Sequence, residues 1–355
     1  MTQKSSLRYR PEPQDFVMAV ISVVFATAST VWPDARVLAS GFPRGYAMAL
    51  FFAAIAVVAC LAGFAAPSSE RSGYSFVRLF YPQLALLPFF SESILISSRA
   101  FGGRSYDAVF AAADQWIFGF QPSREFFAAF GHVSWFNELM FGSYFVYFVL
   151  LIGTPWLAYL ARRRDEARRQ LFVALAAMTC LSTFYIFFRV QGPKYYFEDL
   201  RNAWYDGIEG GVFVAFFKTV FSVTVLSGAA FPSTHVALAS VSVAGAARID
   251  KRLIPPYVVA AILIIASTVY IYAHYAVDAL GGLAYAFVAL PLLHRAYPRV
   301  EGLCSAIAAA AGDAATARSA RLFGGSGRRV PALRGAARRD EHRDERHGAR
   351  DDART

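Results

Sequence analysis

The sequence predicts an all-α fold, a polytopic membrane helix bundle of about eight spans. Three observations predict it. Of 355 residues, 56% are hydrophobic and only 17% charged, with a mean hydropathy of +0.39, too apolar for one soluble domain. Apolar stretches recur at close to the ~20 residues that a helix needs to cross a bilayer. The basic residues gather in alternate connections between those stretches, as the positive-inside rule requires.

The polar stub Met1 to Gln14 carries no cleavable signal pattern, so the first apolar segment is expected to be a retained span. Spans are expected at about 16–32, 46–66, 78–98, 138–160, 170–190, 234–248, 254–273 and 278–296. All read as helices, because a lone strand leaves its backbone polar groups unpaired in lipid. The stretch 234–248 is short and rich in Ala, Ser and Val. It suits a helix enclosed by neighbours, where small residues permit close approach.

Lys4, Arg8 and Arg10, the turn Arg162-Arg-Arg-Asp-Glu-Ala-Arg-Arg169, the cluster Arg248, Lys251 and Arg252, and the arginine-rich tail all fall on one side of an eight-span arrangement. That side is assigned to the cytoplasm, with both termini. Segments 99–137, 191–233 and 274–278 then share the other face. Within them, Asp114-Gln-Trp-Ile-Phe-Gly-Phe-Gln-Pro122 reads as an interfacial helix and a bend. Residues 199–228 read as a second interfacial or re-entrant element. Residues 1–77 would form the stub and two accessory spans, 78–297 the membrane core, and 298–355 a disordered basic cytoplasmic tail. That tail, beside lipid headgroups, accounts for the net charge of +10 with no nucleic-acid partner. Cys60, Cys180 and Cys304 form no disulfide or zinc pattern.

Two short motifs carry the chemistry. Phe231-Pro-Ser-Thr-His235 and His274-Tyr-Ala-Val-Asp278 each set a histidine at the edge of an apolar segment. On a helix, the four-residue spacing of His274 and Asp278 places both on one face, where the carboxylate can fix the imidazole tautomer. Two histidines, one backed by an acid, with a Pro-Ser turn that can open a helix, suffice to transfer a phosphoryl group without a metal or cofactor. Blander roles compete at each position. Pro232-Ser233 also fits a simple N-cap, His274 and Asp278 a structural pair, and Lys194 and Arg189 snorkelling flanks of the fifth span. Glu92 is assigned no role. Gly281-Gly282 reads as a close helix contact. A metal held by His235, His274 and Asp278 lacks a further strong ligand nearby in sequence.

These motifs resemble those of the type-2 phosphatidic acid phosphatase superfamily, and more closely its inositol phosphorylceramide synthase-like branch. Pro232-Ser233-Thr234-His235 is similar to the family's Pro-Ser-Gly-His motif, with Thr for Gly. His274 to Asp278 is similar to the end of its Ser-Arg-x5-His-x3-Asp motif, although Ser267-Thr268 stands where Ser-Arg is expected. The family's Lys-x6-Arg-Pro pattern is absent. In its place Arg189-Val-Gln-Gly-Pro-Lys-Tyr-Tyr-Phe197 looks like a segment of the synthase-like branch, as does the stretch from Asp114 to Pro122.

The resemblance, over about residues 80–295, implies a six-helix phosphatase-like core and a lipid phosphate or phosphodiester substrate; the basic loops put the site on the extracytoplasmic face, and the abundance of Ala and Arg over Lys points to a bacterial inner membrane. His274 corresponds to the nucleophile that forms a phosphohistidine, Asp278 to its orienting acid, and His235 to the acid that protonates the leaving alkoxide. Ser233 and Thr234, at a helix start, would cradle phosphate, with Lys194 as the cation and Arg189 behind it. Arg201 or Lys218 could replace the missing motif arginine. Hydrolysis and transfer to an alcohol acceptor, the latter including inositol-phosphate transfer onto a lipid alcohol, share one covalent intermediate. A reading from another class is a non-catalytic lipid transporter or binding scaffold.

Overall fold

The computed structural model describes residues 9–65, 73–200, 207–223 and 227–323. They form twelve α-helices: α1 (Pro13–Val31), α2 (Arg44–Ala62), α3 (Gly73–Phe101), α4 (Asp107–Phe118), α5 (Pro122–Phe130), α6 (Ser134–Leu160), α7 (Arg164–Phe187), α8 (Pro193–Tyr196), α9 (Val212–Val223), α10 (Thr234–Ile249), α11 (Ile254–Tyr270) and α12 (Ala276–Phe323). The protein is an all-α helix bundle. Seven of these helices, α1, α2, α3, α6, α7, α11 and α12, are long and apolar enough to cross a membrane. The segment expected as an eighth span is helical too, but its 16 residues extend only about 24 Å at 1.5 Å per residue. By length it falls short of a bilayer core.

Local chemistry sets many of the helix ends. α1 opens on a reciprocal capping box between Glu12 and Asp15, with Pro13 in its first turn. Proline also opens α5, α8 and α11, where the missing N–H costs nothing. α4 stops at Gly119, whose φ of 78° ends the helix and makes the bend expected before Pro122. The expected element in 199–228 appears as α9, while residues 201–206 and 224–226 lie outside the described set.

The chain divides after Gly312 into two units. The second is helical as far as Phe323, and residues 324–355 of the expected tail lie outside the described residues. Residues 298–312, assigned to that tail by composition, are helical, in keeping with the high helix propensity of alanine in the run Ala308–Ala311.

α10 lies at the centre of the first unit and packs on α6, α7 and α11. Its Val236, Ala237, Leu238, Ala239 and Val241 are all buried. α12 closes on its start. A Cβ at Gly282 would meet the Ser233 carbonyl oxygen at 2.7 Å and Val236 Cβ at 2.9 Å. The glycine pair therefore makes the close contact its sequence suggested. Gly282→Val is expected to cost about 1–3 kcal/mol by overpacking, seen as a lower midpoint of thermal unfolding in detergent.

The two ends of α10 differ in kind. At its C-terminal end Arg248 pairs with Glu166 at 2.7 Å, and the Arg163 guanidinium donates to the Arg248 carbonyl at 3.2 Å. Arg168 lies 3.8 Å from Glu12. The basic α6–α7 turn, the entry to α1 and the end of α10 therefore meet at one end of the bundle. His235 is at the other end of α10.

The first two helices are fastened to α3 by charge. Asp15 of α1 accepts from Arg78 and, at 2.8 Å, from the Tyr81 hydroxyl. In a second cluster Arg44 bridges Asp34 at 2.6 Å and Glu92 at 3.0 Å, and Arg99 also reaches Glu92 at 2.8 Å.

Candidate active site

Ser233 caps α10, its hydroxyl accepting from the Val236 N–H at 3.4 Å. The turn before it contains a cis Phe231–Pro232 bond. Tyr185 of α7 holds this turn, its hydroxyl donating to the Pro232 carbonyl at 2.5 Å and lying 3.4 Å from Thr234 Oγ1. The first N–H groups of a helix have no partner within it. The Thr234–His235 start of α10 lies beside a buried serine, and helix starts of this kind favour anions in general.

His274 lies in the tight turn between α11 and α12, ahead of the helix rather than on it. The expectation that one helical face carries both His274 and Asp278 is corrected here. Asp278, in the first turn of α12, folds back to accept from the Tyr275 N–H at 2.9 Å, and its Oδ2 stands 3.6 Å from His274 Nδ1. That separation gives charge stabilisation but no good hydrogen bond. The orienting acceptor is the Ala230 carbonyl, 2.8 Å from His274 Nδ1. A carbonyl only accepts, so Nδ1 carries the proton and Nε2 presents its lone pair.

The two motifs touch. The Ser233 N–H donates to the Asp278 carbonyl at 3.0 Å, and the rings of His235 and His274 lie 5.8 Å apart between centroids. His235 is stacked on Tyr144 and tilted against Tyr147, each at 4.3 Å. Both histidines are buried. Neither ring nitrogen of His235 has a hydrogen-bond partner among the described residues, and neither has Oδ1 of Asp278. Orphaned polar atoms are scarce in folded proteins. Three of them lie on the two facing motifs.

Lys194 reaches this region through its backbone. Its N–H donates to the Tyr272 carbonyl at 3.0 Å, and Gly192, at a φ of 92°, sits where a Cβ would press on the Ala273 carbonyl oxygen at 2.5 Å. Tyr272 itself has a φ of 59°, unusual for an aromatic residue. The Lys194 ammonium is buried near the rings of Tyr195 and Phe217, at 5.3 and 5.8 Å, and burial pulls its pKa down to about 8.

Arg189 is buried as well. Its guanidinium lies 3.4 Å from Ser227 Oγ, and its Nε and Nη1 have no partner among the described residues. Of the two substitutes considered for the missing arginine, Arg201 lies outside the described residues, and Lys218 donates to the Ile208 carbonyl at 2.9 Å. Among the described residues no group of three His, Cys, Asp or Glu side chains could hold a metal ion.

Seven long apolar helices fit an integral membrane protein, and two buried histidines face each other at one end of α10. The chain belongs to the PAP2 superfamily, whose family profile matches residues 109–292, more than half of the chain. Membership makes it a phosphatase-type enzyme of the membrane. Neither the curated proteins nor the solved structures compared gave a match.

Proposed function

We propose that the protein is a lipid phosphatase or phosphotransferase working through a phosphohistidine at His274. The observation that carries this reading is the approach of the His235 and His274 rings to 5.8 Å, beside the capped start of α10. In the proposed cycle, His274 Nε2 attacks phosphorus while the phosphate oxygens rest on the first N–H groups of α10 and face Lys194. The bond to the lipid alkoxide breaks, and His235 supplies the proton that alkoxide needs. Asp278 offsets the positive charge that gathers on the phosphorylated imidazole. His235 then takes a proton from the second nucleophile, water or an alcohol, which displaces His274 from phosphorus.

The reaction is assigned to the extracytoplasmic face. His235 and Arg248 stand at opposite ends of α10, and the arginine-rich end suits the cytoplasm. This reading keeps both termini in the cytoplasm and therefore needs the short α10 to link the two faces as an eighth crossing; a bacterial inner membrane suits the Ala- and Arg-rich composition. Transfer to a lipid alcohol, including inositol-phosphate transfer, is favoured over hydrolysis by the burial of His235, His274, Ser233 and Asp278, which limits water. It is also favoured by the packing of the synthase-like Lys194 segment on the His274 turn. Mass spectrometry of the products from a lipid panel, with and without alcohol acceptors, tests the reading. A new diester appearing only with acceptor establishes transfer, and free phosphate establishes hydrolysis. Unchanged lipids throughout would leave a non-catalytic scaffold as the better account.

The lysine gives this reading a pH signature. Below pH 8 Lys194 is an ammonium, and above it the charge is lost. The inhibition constant for inorganic phosphate is expected to rise by up to about tenfold per pH unit above that point, whereas Lys194→Arg remains charged and flattens the profile. A wild-type constant that stays level from pH 7 to 9.5 would remove Lys194 from the phosphate site.

A further inference from the structure

Helix α4 contributes neither histidine, capping serine nor lysine to the proposed cycle, yet two of its carboxylates hold the parts that do. Asp107 and Asp114 are both fully buried. Asp107 accepts from the N–H groups of Gln191 and Gly192, each at 2.8 Å, and from the Tyr275 hydroxyl at 3.1 Å. One carboxylate thus joins the loop that leads into Lys194 to the residue that follows His274. Seven residues on, two helical turns along the same face, Asp114 accepts from the N–H groups of Ala276 and Val277 at 2.9 and 3.0 Å. Those are the first two residues of α12.

The arrangement has a chemical consequence. Two helices begin at the site, α10 and α12, and both could offer N–H groups and a positive dipole end to an anion. The start of α12 is already occupied by Asp114, and the Tyr275 N–H by Asp278. Phosphate is left with α10, on the side where His235 has its orphaned nitrogens. Asp107 meanwhile sets how far the Lys194 loop stands from the His274 turn. The misplacement of a reacting group by as little as about 1 Å can cost roughly 100-fold in rate.

We propose that Asp107 and Asp114 are positioning residues of the transfer site. Asp107 is the joint that fixes the Lys194 loop against the His274 corner, and Asp114 reserves the start of α12 from the substrate phosphate. This inference rests on the phosphotransfer reading above.

The test uses the full-length protein in detergent, with dioctanoyl phosphatidic acid and phosphatidylinositol as probes and Asp107→Asn, Tyr275→Phe, Lys194→Met and His274→Ala as variants. An amide at position 107 turns an N–H toward a backbone N–H that needs an acceptor. Asp107→Asn is therefore expected to lower kcat about 10- to 100-fold with KM within about twofold. Added to Lys194→Met it should cost no more than about a further twofold, because both changes act on one element. A merely structural role would multiply the two losses instead, and that outcome overturns the joint.

Should Asp107→Asn fail to fold, Tyr275→Phe keeps the ring and both backbone bonds and removes only the cross-tie. It is expected to lower kcat about fivefold, with the same lack of additivity toward Lys194→Met. Wild-type kinetics in folded Tyr275→Phe also overturn the joint. Lys194→Met and His274→Ala report on the underlying reading. Undiminished turnover in those two sinks phosphotransfer itself, whereas their loss beside a silent Tyr275→Phe sinks only the positioning role.

Discussion

Replacing His274 by alanine is expected to lower turnover by at least about 10³-fold, the usual scale for removing a covalent nucleophile. The geometry makes this the largest single effect. The Nδ1 proton is committed to the Ala230 carbonyl at 2.8 Å, so the whole nucleophilic capacity of the ring rests on Nε2. The hydrogen bond also holds the ring without the help of substrate, so little orientation remains to be lost on the way to attack. Wild-type protein quenched during turnover should carry an acid-labile phosphate on the peptide containing residue 274, and the variant should not. Equal product release by the two proteins would end the covalent reading.

His235→Gln is expected to produce the second largest loss, and a selective one. A positioned general acid contributes about 10²- to 10⁴-fold, but only where the leaving group needs the proton. His235 has no polar partner among the described residues and is flanked by the rings of Tyr144 and Tyr147. Its ring nitrogens are therefore uncommitted until a ligand arrives. The loss should approach that full range for a lipid alkyl ester and shrink to about tenfold or less for a nitrophenyl ester, whose leaving group departs unprotonated. Comparison of the two substrates in one preparation decides the matter. Equal losses on both would make His235 a phosphate ligand instead of an acid.

The bundle was largely legible in the chain because membrane spans are written in composition. Each apolar stretch proposed from the sequence is a helix, and even the short Thr234–Ile249 segment announced its enclosed position through small residues. The two motifs were legible as well, being local in sequence and chemically unusual in an apolar setting. Their supports were not. Ala230 acts through a carbonyl that every residue possesses, so nothing in its side chain reports the bond to His274. Asp107 reaches a tyrosine 168 residues away, and no spacing rule spans that interval. Asp114 was read as part of an interfacial helix, and its identity gave no hint of which N–H groups it would meet. Glu92, given no role from sequence, proves to be shared by Arg44 and Arg99. The four-residue interval from His274 to Asp278 suggested the right neighbours for the wrong reason, since a turn and a helix start, not one helical face, bring them together.

The ionic fastening of α1 and α2 to α3 bears on how such an enzyme could be reduced in size. Glu92 would keep Arg99 if the first 72 residues were removed, but Arg78 would lose Asp15, its carboxylate partner among the described residues. A buried cation deprived of its counter-ion costs about 3–5 kcal/mol, comparable with the whole stability margin of many proteins. The amino-terminal hairpin is thus a counterweight to a charge embedded in the third helix, and a minimal catalytic fragment would have to begin by neutralising that arginine.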